Sequence, residues 1–368
     1  MTPFDFRPRT RVVFGAGEFS RLGEVARELG ATKCLLVADR GMLDCGYAQE
    51  AIRSLKARRM EVFAFHDFDP GPTADMVDAG AAFAAPLNVN LIVGLGGGSS
   101  LDCAKAINFV VSNGGSIRDY WGYGKAAKPM LPMVAVPTTA GGGSEAQTYA
   151  AISDSKNSQR MACGDAKAAF RTAILDPKLT VTQPRALAAS TGYDAISHAV
   201  ETLVSTRRTA LSDCFSRSAW RLLNTNFERM LKDPTDLEAR GGMLIGAHFG
   251  GLATENSMLG AAHACAIPLT AHYPLPHGAA IALLLSRVVE WNMGSASKQY
   301  EELNAGDLAR RLRDLAAMAE LPMSLRDASI PREALPRLAE EAGPQWTGRF
   351  NPRHFDAAAA LEIYESVY

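Results

Sequence analysis

The sequence predicts an α/β domain built on a doubly wound parallel sheet, Rossmann-like in kind, followed by an all-helical domain. Short apolar runs alternate with helical stretches in the first half of the chain. After Pro184 the β-branched runs stop, and apolar residues recur three and four positions apart, which is the helical period. A chain of 368 residues also exceeds what one hydrophobic core usually serves. We therefore predict two domains, 1–183 and 184–368.

The elements of the first domain follow from apolar runs and their spacing. Buried strands are predicted at Lys33–Ala38 (KCLLVA), 91–95 (LIVGL) and 133–136 (MVAV). Each run is short, continuous and apolar, which is typical of a strand buried on both faces. Residues 49–59 and 73–85 lie between these strands and carry apolar residues at helical spacing. Strand, helix and strand in succession favour a parallel sheet, and residues 174–175 are its last strand.

The second domain is predicted to be helical throughout. Alanine-rich segments with helical periodicity occur at 195–204, 211–223, 237–253 and 279–291. From residue 308 onward, further amphipathic helices are interrupted by Pro322, Pro331 and Pro336, because proline does not continue a helix.

Composition and charge exclude several classes of partner. The 38 basic residues nearly balance the 39 acidic ones, so there is no electrostatic reason to expect nucleic acid or an anionic membrane. No run of apolar residues is long enough to span a bilayer, and the N-terminus lacks the apolar core of a signal peptide. Six scattered cysteines without a CxxC pair indicate reduced thiols in a cytoplasmic protein.

Two glycine-rich loops are candidates for binding a nucleotide. Gly96, Gly97, Gly98 and Ser99 follow a predicted strand and precede a predicted helix at 101–111. Glycines allow close approach of a pyrophosphate, and a helix N-terminus offers it unpaired N–H groups. We predict that Ser99 caps this helix and that Asp102 lies in its first turn. The alternative for the loop alone is a tight strand-to-helix turn.

The surroundings of the first loop favour the nucleotide over the simple turn. A second Gly/Thr-rich loop, with Thr138, Thr139 and Ser144, follows another predicted strand, and two such loops at one sheet edge form a nucleotide crevice. Asp39 directly follows Lys33–Ala38. A carboxylate there accepts hydrogen bonds from ribose hydroxyls and repels a 2′-phosphate, which favours NAD over NADP. The alternative for Asp39 is an acidic side chain on a surface loop.

Four further residues form a candidate metal site. Asp194 and His198 are four positions apart and hence on one face of a helix. His263 and His277 follow in two later motifs. One oxygen and three nitrogen ligands suit a divalent ion such as Fe²⁺ or Zn²⁺. Each histidine taken singly is more often a core or surface residue, and it is the combination with the Asp–His pair that favours metal.

The chain resembles the iron-containing (group III) alcohol dehydrogenases, relatives of glycerol dehydrogenase and dehydroquinate synthase. The resemblance is carried by GGGSSLDCAK (96–105), PTTAGGGSE (137–145), GYDAISHAVE (192–201) and GAAHACAIPLTAHYPLPHG (260–278). It implies a dehydroquinate synthase-like architecture, a homodimer or higher homo-oligomer, and one Fe²⁺ or Zn²⁺ ion held by Asp194, His198, His263 and His277. The candidate cofactor-binding residues are then Asp39, Gly96, Gly97, Gly98, Ser99, Asp102, Thr138, Thr139, Ser144, Tyr149, Arg160 and Leu179.

The sequence departs from the family pattern at three positions. Ile267 stands where many members carry a second histidine, and isoleucine cannot transfer protons. Gly142 replaces a commoner threonine, and Arg160 stands where lysine is usual. Because the proton route must then differ, we predict that His272 passes the proton to solvent; a structural role for His272 is the alternative.

The function expected from these residues is metal-dependent, NAD(P)-linked hydride transfer between a small primary or secondary alcohol and its aldehyde or ketone. Three alternatives remain open. Glycerol dehydrogenase-like polyol oxidation differs only in substrate. A dehydroquinate synthase needs a cluster of basic residues for phosphate, and few basic residues flank the proposed ligands. A non-catalytic NAD-binding protein on the same fold would be expected to lose a metal ligand, and all four are present.

Overall fold

The computed structural model describes residues 2–68, 71–154, 159–303 and 306–368. These residues form two compact units. One unit comprises the described residues of Phe6–Thr139 and Ser144–Thr182. The other comprises Gln183–Tyr368 together with Ala140–Gly143 and the N-terminal residues up to Asp5. The short segment Ala140–Gly143 therefore belongs to the unit that follows it in the chain.

The first unit is built on a six-stranded parallel sheet. Its strands are β1 (Arg11–Phe14), β2 (Lys33–Ala38), β3 (Glu61–Phe65), β4 (Leu91–Gly96), β6 (Met133–Pro137) and β9 (Thr172–Leu175), in the spatial order β1-β9-β6-β4-β2-β3. Every neighbouring pair is parallel. The predicted parallel sheet is confirmed, and its central strands β4 and β6 are buried along their whole length, as strands covered on both faces must be.

The helices that connect these strands are α1 (Leu22–Glu28), α2 (Arg40–Asp44), α3 (Tyr47–Ala57), α4 (Ala74–Ala84) and α5 (Gly98–Asn113). From β2 the chain passes to β3 on one side and then returns to β4 on the other side. The strand order thus reverses between β2 and β4, and ligands of open α/β sheets bind at the carboxyl ends of strands at such a point. Asp39 follows β2 there, and the first glycine loop follows β4.

A second, three-stranded sheet was not predicted. It has the order β5-β8-β7, with β5 at Gly122–Tyr123, β7 at Tyr149–Asp154 and β8 at Gln159–Gly164. β7 and β8 are antiparallel, whereas β5 and β8 are parallel. β5 has two residues, and β7 and β8 contain alanine, serine and glycine in place of long β-branched runs. Such strands carry little signal in sequence because their pairing partners supply most of the stability.

The second unit is helical. Its elements are α6 (Arg185–Val204), α7 (Ala210–Lys232), α8 (Leu237–Ser257), α9 (Ala261–His272), α10 (His277–Leu303), α11 (Leu308–Met318), α12 (Leu335–Ala342) and α13 (Ala357–Ser366). α10 is interrupted by non-helical backbone at Ala296. α9 contains Pro268 and was not predicted as a separate helix. One continuous apolar core joins these helices, and among the described residues no helix is long and apolar enough to cross a membrane.

Candidate nucleotide and metal sites

The first glycine loop connects β4 to α5. Gly96 adopts φ +138°, and a β-carbon there would lie 2.9 Å from Asp39 Oδ2, so this position requires glycine. Gly98 is the first residue of α5, is exposed, and has no other described atom close to where its β-carbon would be. The N-terminus of a 16-residue helix is therefore open to a ligand, which suits an anion such as pyrophosphate.

The predicted roles of Ser99 and Asp102 at the start of this helix are wrong. Gly97 is the N-cap residue, and the first turn contains no acidic residue. Because Gly98 already has helical backbone, α5 begins earlier than predicted and Asp102 falls beyond its first turn. Ser99 Oγ instead accepts a hydrogen bond from the backbone N–H of Gly71 at 3.0 Å. Ser99 thus ties the loop to a neighbouring segment.

Asp39 combines a local role with contact to the glycine loop. Its Oδ1 accepts from the backbone N–H of Met42 at 3.2 Å and caps α2. Its Oδ2 accepts from the hydroxyl of Ser100 at 2.7 Å. A carboxylate has lone pairs to spare after two hydrogen bonds. Asp39 is therefore held against the loop and is still able to accept hydrogen bonds from a ribose.

The second loop lies directly beside the first. The backbone N–H of Thr138 donates to the carbonyl of Gly96 at 3.0 Å. A β-carbon on Gly97 would be 3.3 Å from Thr139 Cγ2, which shows how closely the two loops pack. The structure therefore brings Gly97 and Thr139 together at the same sheet edge.

A buried lysine, which the sequence analysis did not single out, connects three of the predicted residues. Lys105 Nζ donates to Ser144 Oγ at 2.8 Å and to the carbonyl of Tyr149 at 2.6 Å. Ser144 Oγ donates to Asp102 Oδ1 at 2.5 Å. Lys105 has no exposed side-chain surface. The sequence did contain an indication of this contact: Lys105 lies three residues after Asp102, and residues three apart share a helix face.

The last two predicted cofactor residues lie elsewhere in the first unit. Leu179 is buried in the turn Pro177–Thr180 after β9 and belongs to a core cluster on the sheet. Arg160 is exposed on β8, where it pairs with Ser153 of β7. Their predicted contacts to a cofactor stay predictions.

The four proposed metal ligands converge in the second unit. Asp194 and His198 lie on α6, His263 lies in the first turn of α9, and His277 begins α10. Measured to Asp194 Oδ1, the three Nε2 atoms are 3.8 Å away for His198, 3.6 Å for His263 and 3.7 Å for His277. These distances are too long for hydrogen bonds. They are close to the separation of about 3.4 Å between ligand atoms around a tetrahedral ion with bonds of about 2.1 Å.

Two buried polar atoms in this cluster fit a cation-binding site. Asp194 Oδ1 and His263 Nε2 are buried and have no hydrogen-bond partner among the described residues. Ligand atoms of Asp194, His263 and His277 all lie within 4.8 Å of one another. A buried polar atom without a partner costs free energy, and one cation would satisfy both atoms at once. The donor set therefore fits a divalent metal.

The electrostatics of the cluster agree with this geometry. Burial lowers the pKa of His198 to about 4, which keeps its imidazole neutral and able to bind a metal. Burial also opposes the charged form of His263, but the carboxylates of Glu201 and Asp194 outweigh it and raise its pKa to about 9. Burial would raise the pKa of Asp194, yet the surrounding histidines hold it well below its usual range. The site thus attracts positive charge.

Two residues outside the ligand set contact the ligands, and neither contact was predicted from the sequence. Glu201 Oε2 lies 2.5 Å from His263 Nδ1, and its Oε1 accepts from the backbone N–H of Ala262 at 2.7 Å. Thr254 Oγ1 lies 3.4 Å from His198 Nδ1. A signal for Glu201 was present, because positions 194, 198 and 201 follow the helical period.

The two residues linked to the proton route lie on α9, and Gly142 lies beside the proposed metal ligands. Ile267 is half-buried, one turn beyond His263 on α9. His272 ends the same helix, about 13.5 Å further along its axis than His263, and its Nε2 lies 2.6 Å from Glu341 Oε2. At Gly142 a β-carbon would lie 3.6 Å from Asp194 Oδ2 and 3.9 Å from His198 Cε1. The missing side chain of Gly142 therefore leaves space beside two proposed ligands.

The protein combines a parallel sheet, which carries two glycine loops at one edge, with one carboxylate and three imidazoles that project from helices and converge. This combination defines a metal-dependent, dinucleotide-linked oxidoreductase. Residues 8–177 match the family described as iron-containing alcohol dehydrogenase, and residues 188–368 match the C-terminal part of the same family. The chain is also 31% identical to the NAD-dependent methanol dehydrogenase of Bacillus methanolicus, over 96% of each chain. The chain belongs to the iron-containing alcohol dehydrogenase family.

Solved structures agree with this assignment. A 1,3-propanediol oxidoreductase superposes with a TM-score of 0.96 at 28% identity, covering all of both chains. A sulfoacetaldehyde reductase from Bifidobacterium kashiwanohense, solved in complex with NAD⁺, superposes with a TM-score of 0.90 at 27% identity, covering 100% of this chain and 99% of that one. The architecture predicted from sequence is therefore confirmed.

Proposed function

We propose that this protein is a metal- and NAD-dependent alcohol dehydrogenase that interconverts a short primary or secondary alcohol and its aldehyde or ketone by hydride transfer. The observation that carries the proposal is the convergence of three imidazole Nε2 atoms, at 3.6–3.8 Å, on the buried and unbonded Oδ1 of Asp194. We assign nucleotide binding to the domain 1–183 and metal binding to the domain 184–368. Membership of the family and its named relatives support this division.

The residues of the helical domain would hold the metal and keep it oriented. A bound Fe²⁺ or Zn²⁺ supplies Lewis-acid polarisation of the substrate oxygen. Asp194 Oδ1 and the Nε2 lone pairs of the three histidines are the proposed ligand atoms. Thr254, by its contact with His198 Nδ1, favours the tautomer of His198 that leaves Nε2 free to bind metal.

The residues of the α/β domain would bind NAD. The open N-terminus of α5 at Gly98 supplies N–H groups for the pyrophosphate. Asp39, held beside the loop by Ser100, would accept hydrogen bonds from the ribose hydroxyls. Its negative charge would repel the 2′-phosphate of NADP. The NAD⁺ complex of the sulfoacetaldehyde reductase supports the same choice of cofactor.

The surroundings of the proposed ligands leave space for a substrate, and the named relatives indicate a small one. Gly142 adds no side chain beside Asp194 and His198, and Ile267 contributes an apolar surface in place of an imidazole. The named relatives act on methanol, 1,3-propanediol and sulfoacetaldehyde according to their names. We propose a short alcohol or aldehyde on this basis, with His272 as the residue that passes the proton to solvent.

The proposal is tested by metal content and by NADH absorbance with a panel of short alcohols, diols and aldehydes. The wild-type protein should contain about one ion per chain and turn over with NAD. Asp194→Ala should lose both properties. His354→Ala is the control, because His354 is 87% exposed in its side chain. Undiminished turnover by Asp194→Ala after treatment with a chelator would refute the metal-dependent function.

We also propose that the protein is a cytoplasmic homodimer or higher homo-oligomer. The edge strand β1 exposes Val12 and Phe14 to 39% and 48%, and an exposed apolar edge favours pairing with another chain. The six cysteines are all unpaired, which supports a reducing compartment. Light scattering coupled to size-exclusion chromatography tests the assembly: a monomer at micromolar concentration would contradict it.

A further inference from the structure

We infer that Glu201 is a positioning residue, which holds the ring of His263 and the first turn of α9 in the arrangement that a metal requires. This inference rests on the proposed function, because it presupposes that His263 Nε2 is a metal ligand. Glu201 itself is not a proposed ligand, since its two oxygens face His263 Nδ1 and the backbone N–H of Ala262.

The location of Glu201 explains how one side chain can act on the whole site. It lies on α6, three residues after His198 and seven after Asp194, so all three project from one face of that helix. Its exposure is 3%. From this buried position the carboxylate bridges α6, which carries two proposed ligands, to α9, which carries the third.

The contact with His263 selects one tautomer. A neutral imidazole has one N–H, and the carboxylate at 2.5 Å from Nδ1 holds that proton on Nδ1. Nε2 is then left with a lone pair, and it is this atom that lies 3.6 Å from Asp194 Oδ1. A carboxylate acceptor also makes the imidazole a better metal ligand. Without Glu201 the proton could occupy Nε2, and the ring could rotate.

The second oxygen fixes the backbone that carries His263. The N-cap residue of α9 is Gly260, which provides no side-chain cap. Glu201 Oε1 accepts from Ala262 N–H at 2.7 Å instead, and Asn351 Oδ1 accepts from Ala261 N–H at 3.3 Å. A β-carbon on Gly260 would lie 3.0 Å from Glu201 Oε1 and 3.1 Å from Asn351 Oδ1. Two side chains thus replace the missing cap, and a carboxylate is favourable at a helix N-terminus.

The choice of glutamate over glutamine follows from these two partners. Both partners of Glu201 are N–H donors, so both of its carboxylate oxygens must accept a hydrogen bond. A glutamine has one accepting oxygen and one donating NH₂ group. If its oxygen faces Ala262, the NH₂ group faces His263 Nδ1 and favours the proton on Nε2, where it blocks metal binding. If the amide group of the glutamine is rotated by 180°, its NH₂ group faces the N–H of Ala262, and two donors then meet without an acceptor. Glu201→Gln is therefore nearly isosteric and still expected to impair the site.

The test uses Co²⁺ added to metal-free full-length protein. Binding is measured by competition with a chelator, and coordination by the visible absorption of the bound Co²⁺. We expect Glu201→Gln to bind Co²⁺ about 10- to 100-fold more weakly and with an altered spectrum. Glu201→Asp, which keeps two accepting oxygens, should recover part of the affinity and the wild-type spectrum. If Glu201→Gln does not fold, the spectrum of Glu201→Asp and its affinity still decide the question.

Asn351→Ala is the matched control, since Asn351 caps the same end of α9 but its contact there is with Ala261. It should lower the thermal midpoint of the protein and leave the Co²⁺ spectrum unchanged. Co²⁺ affinity within twofold of wild type in Glu201→Gln, with the same spectrum, would overturn the inference. So would an equal loss of affinity in Asn351→Ala, because Glu201 would then act through helix stability alone. If wild type and Asp194→Ala bind Co²⁺ equally, the proposed metal site itself is wrong.

Discussion

Asp194 Oδ1 lies 3.8 Å from Nε2 of His198, one turn further along the same helix, and no described residue donates a hydrogen bond to this oxygen. The Nε2 atoms of His263 and His277 lie at comparable distances from it. A divalent ion at this point would join three helices, α6, α9 and α10, and would bind the folded state alone. The metal is therefore expected to contribute to stability as well as to catalysis.

The first prediction concerns that stability. Zn²⁺ present at about 100 times its dissociation constant should stabilise the wild-type protein by about 2.7 kcal/mol. Asp194→Ala should show no such gain, because its site lacks the only anionic ligand. Thermal unfolding of metal-free protein with and without added Zn²⁺ measures the difference. An equal rise of the melting temperature in both proteins would place the bound ion elsewhere.

A second prediction concerns the cofactor. Replacing Asp39 by Asn removes the charge that opposes a 2′-phosphate, whose repulsion at about 4 Å amounts to about 1–4 kcal/mol. The ratio of kcat/KM for NAD to that for NADP should fall about tenfold or more. Asn remains a good N-cap for α2, so the thermal midpoint should change little. An unchanged ratio in steady-state kinetics with both cofactors would argue that Asp39 only caps the helix.

The third prediction concerns the space beside the ligands. At Gly142 a side chain can be accommodated, since the β-carbon would make ordinary contacts at 3.6 Å with Asp194 and 3.9 Å with His198. Gly142→Thr should fold normally and raise KM about tenfold for the longer alcohols, with a smaller effect on the shortest. Gly142→Ala should give an intermediate result. KM values that rise equally for alcohols of all lengths would show that a side chain at position 142 does not limit substrate size.

The proton route supplies a fourth prediction. If His272 passes the proton to solvent, His272→Asn should lower kcat for alcohol oxidation by about tenfold or more. Glu341→Gln should do so to a smaller extent, because Glu341 contacts His272 Nε2 at 2.6 Å. Rapid mixing with NAD and alcohol measures the rate of NADH formation. Unchanged rates in both variants would show that the surface contact of His272 with Glu341 is structural, and an exposed contact of this kind contributes about 1 kcal/mol or less.

Thiol reactivity is the subject of the fifth prediction. Burial raises the pKa of Cys34 and Cys163 to about 12, and Cys103 and Cys265 are buried as well. Thiolate is the reactive form. The exposed Cys45 and Cys214 should therefore react with a disulfide reagent at pH 8, and the other four only after unfolding. The double variant Cys45→Ser, Cys214→Ser should lose the fast reaction. More than two fast thiols in native wild type would contradict this pattern of burial.

Sequence patterns predicted the structure well wherever a local physical cause determines it. β2, β4 and β6 are recognisable because a strand buried on both faces must be apolar along its length. The pair Asp194 and His198 is recognisable because the helical period places residues four apart on one face. Prediction failed at Ser99 and Asp102, where the start of α5 depends on the backbone conformation of Gly98, and glycine is compatible with several.

The composition of the ligand set could thus be inferred from the chain alone, whereas its arrangement depends on tertiary packing. His263 Nδ1 meets Glu201 because α9 packs beside α6, and the two residues are 62 positions apart. The same holds for the contacts of the buried Lys105 ammonium with Ser144 and Tyr149, which lie outside α5. No periodic pattern in the sequence predicts either set of contacts, since each depends on where two separate segments come together. Periodicity reports which face of an element is buried, and only the folded chain decides which partner that face meets.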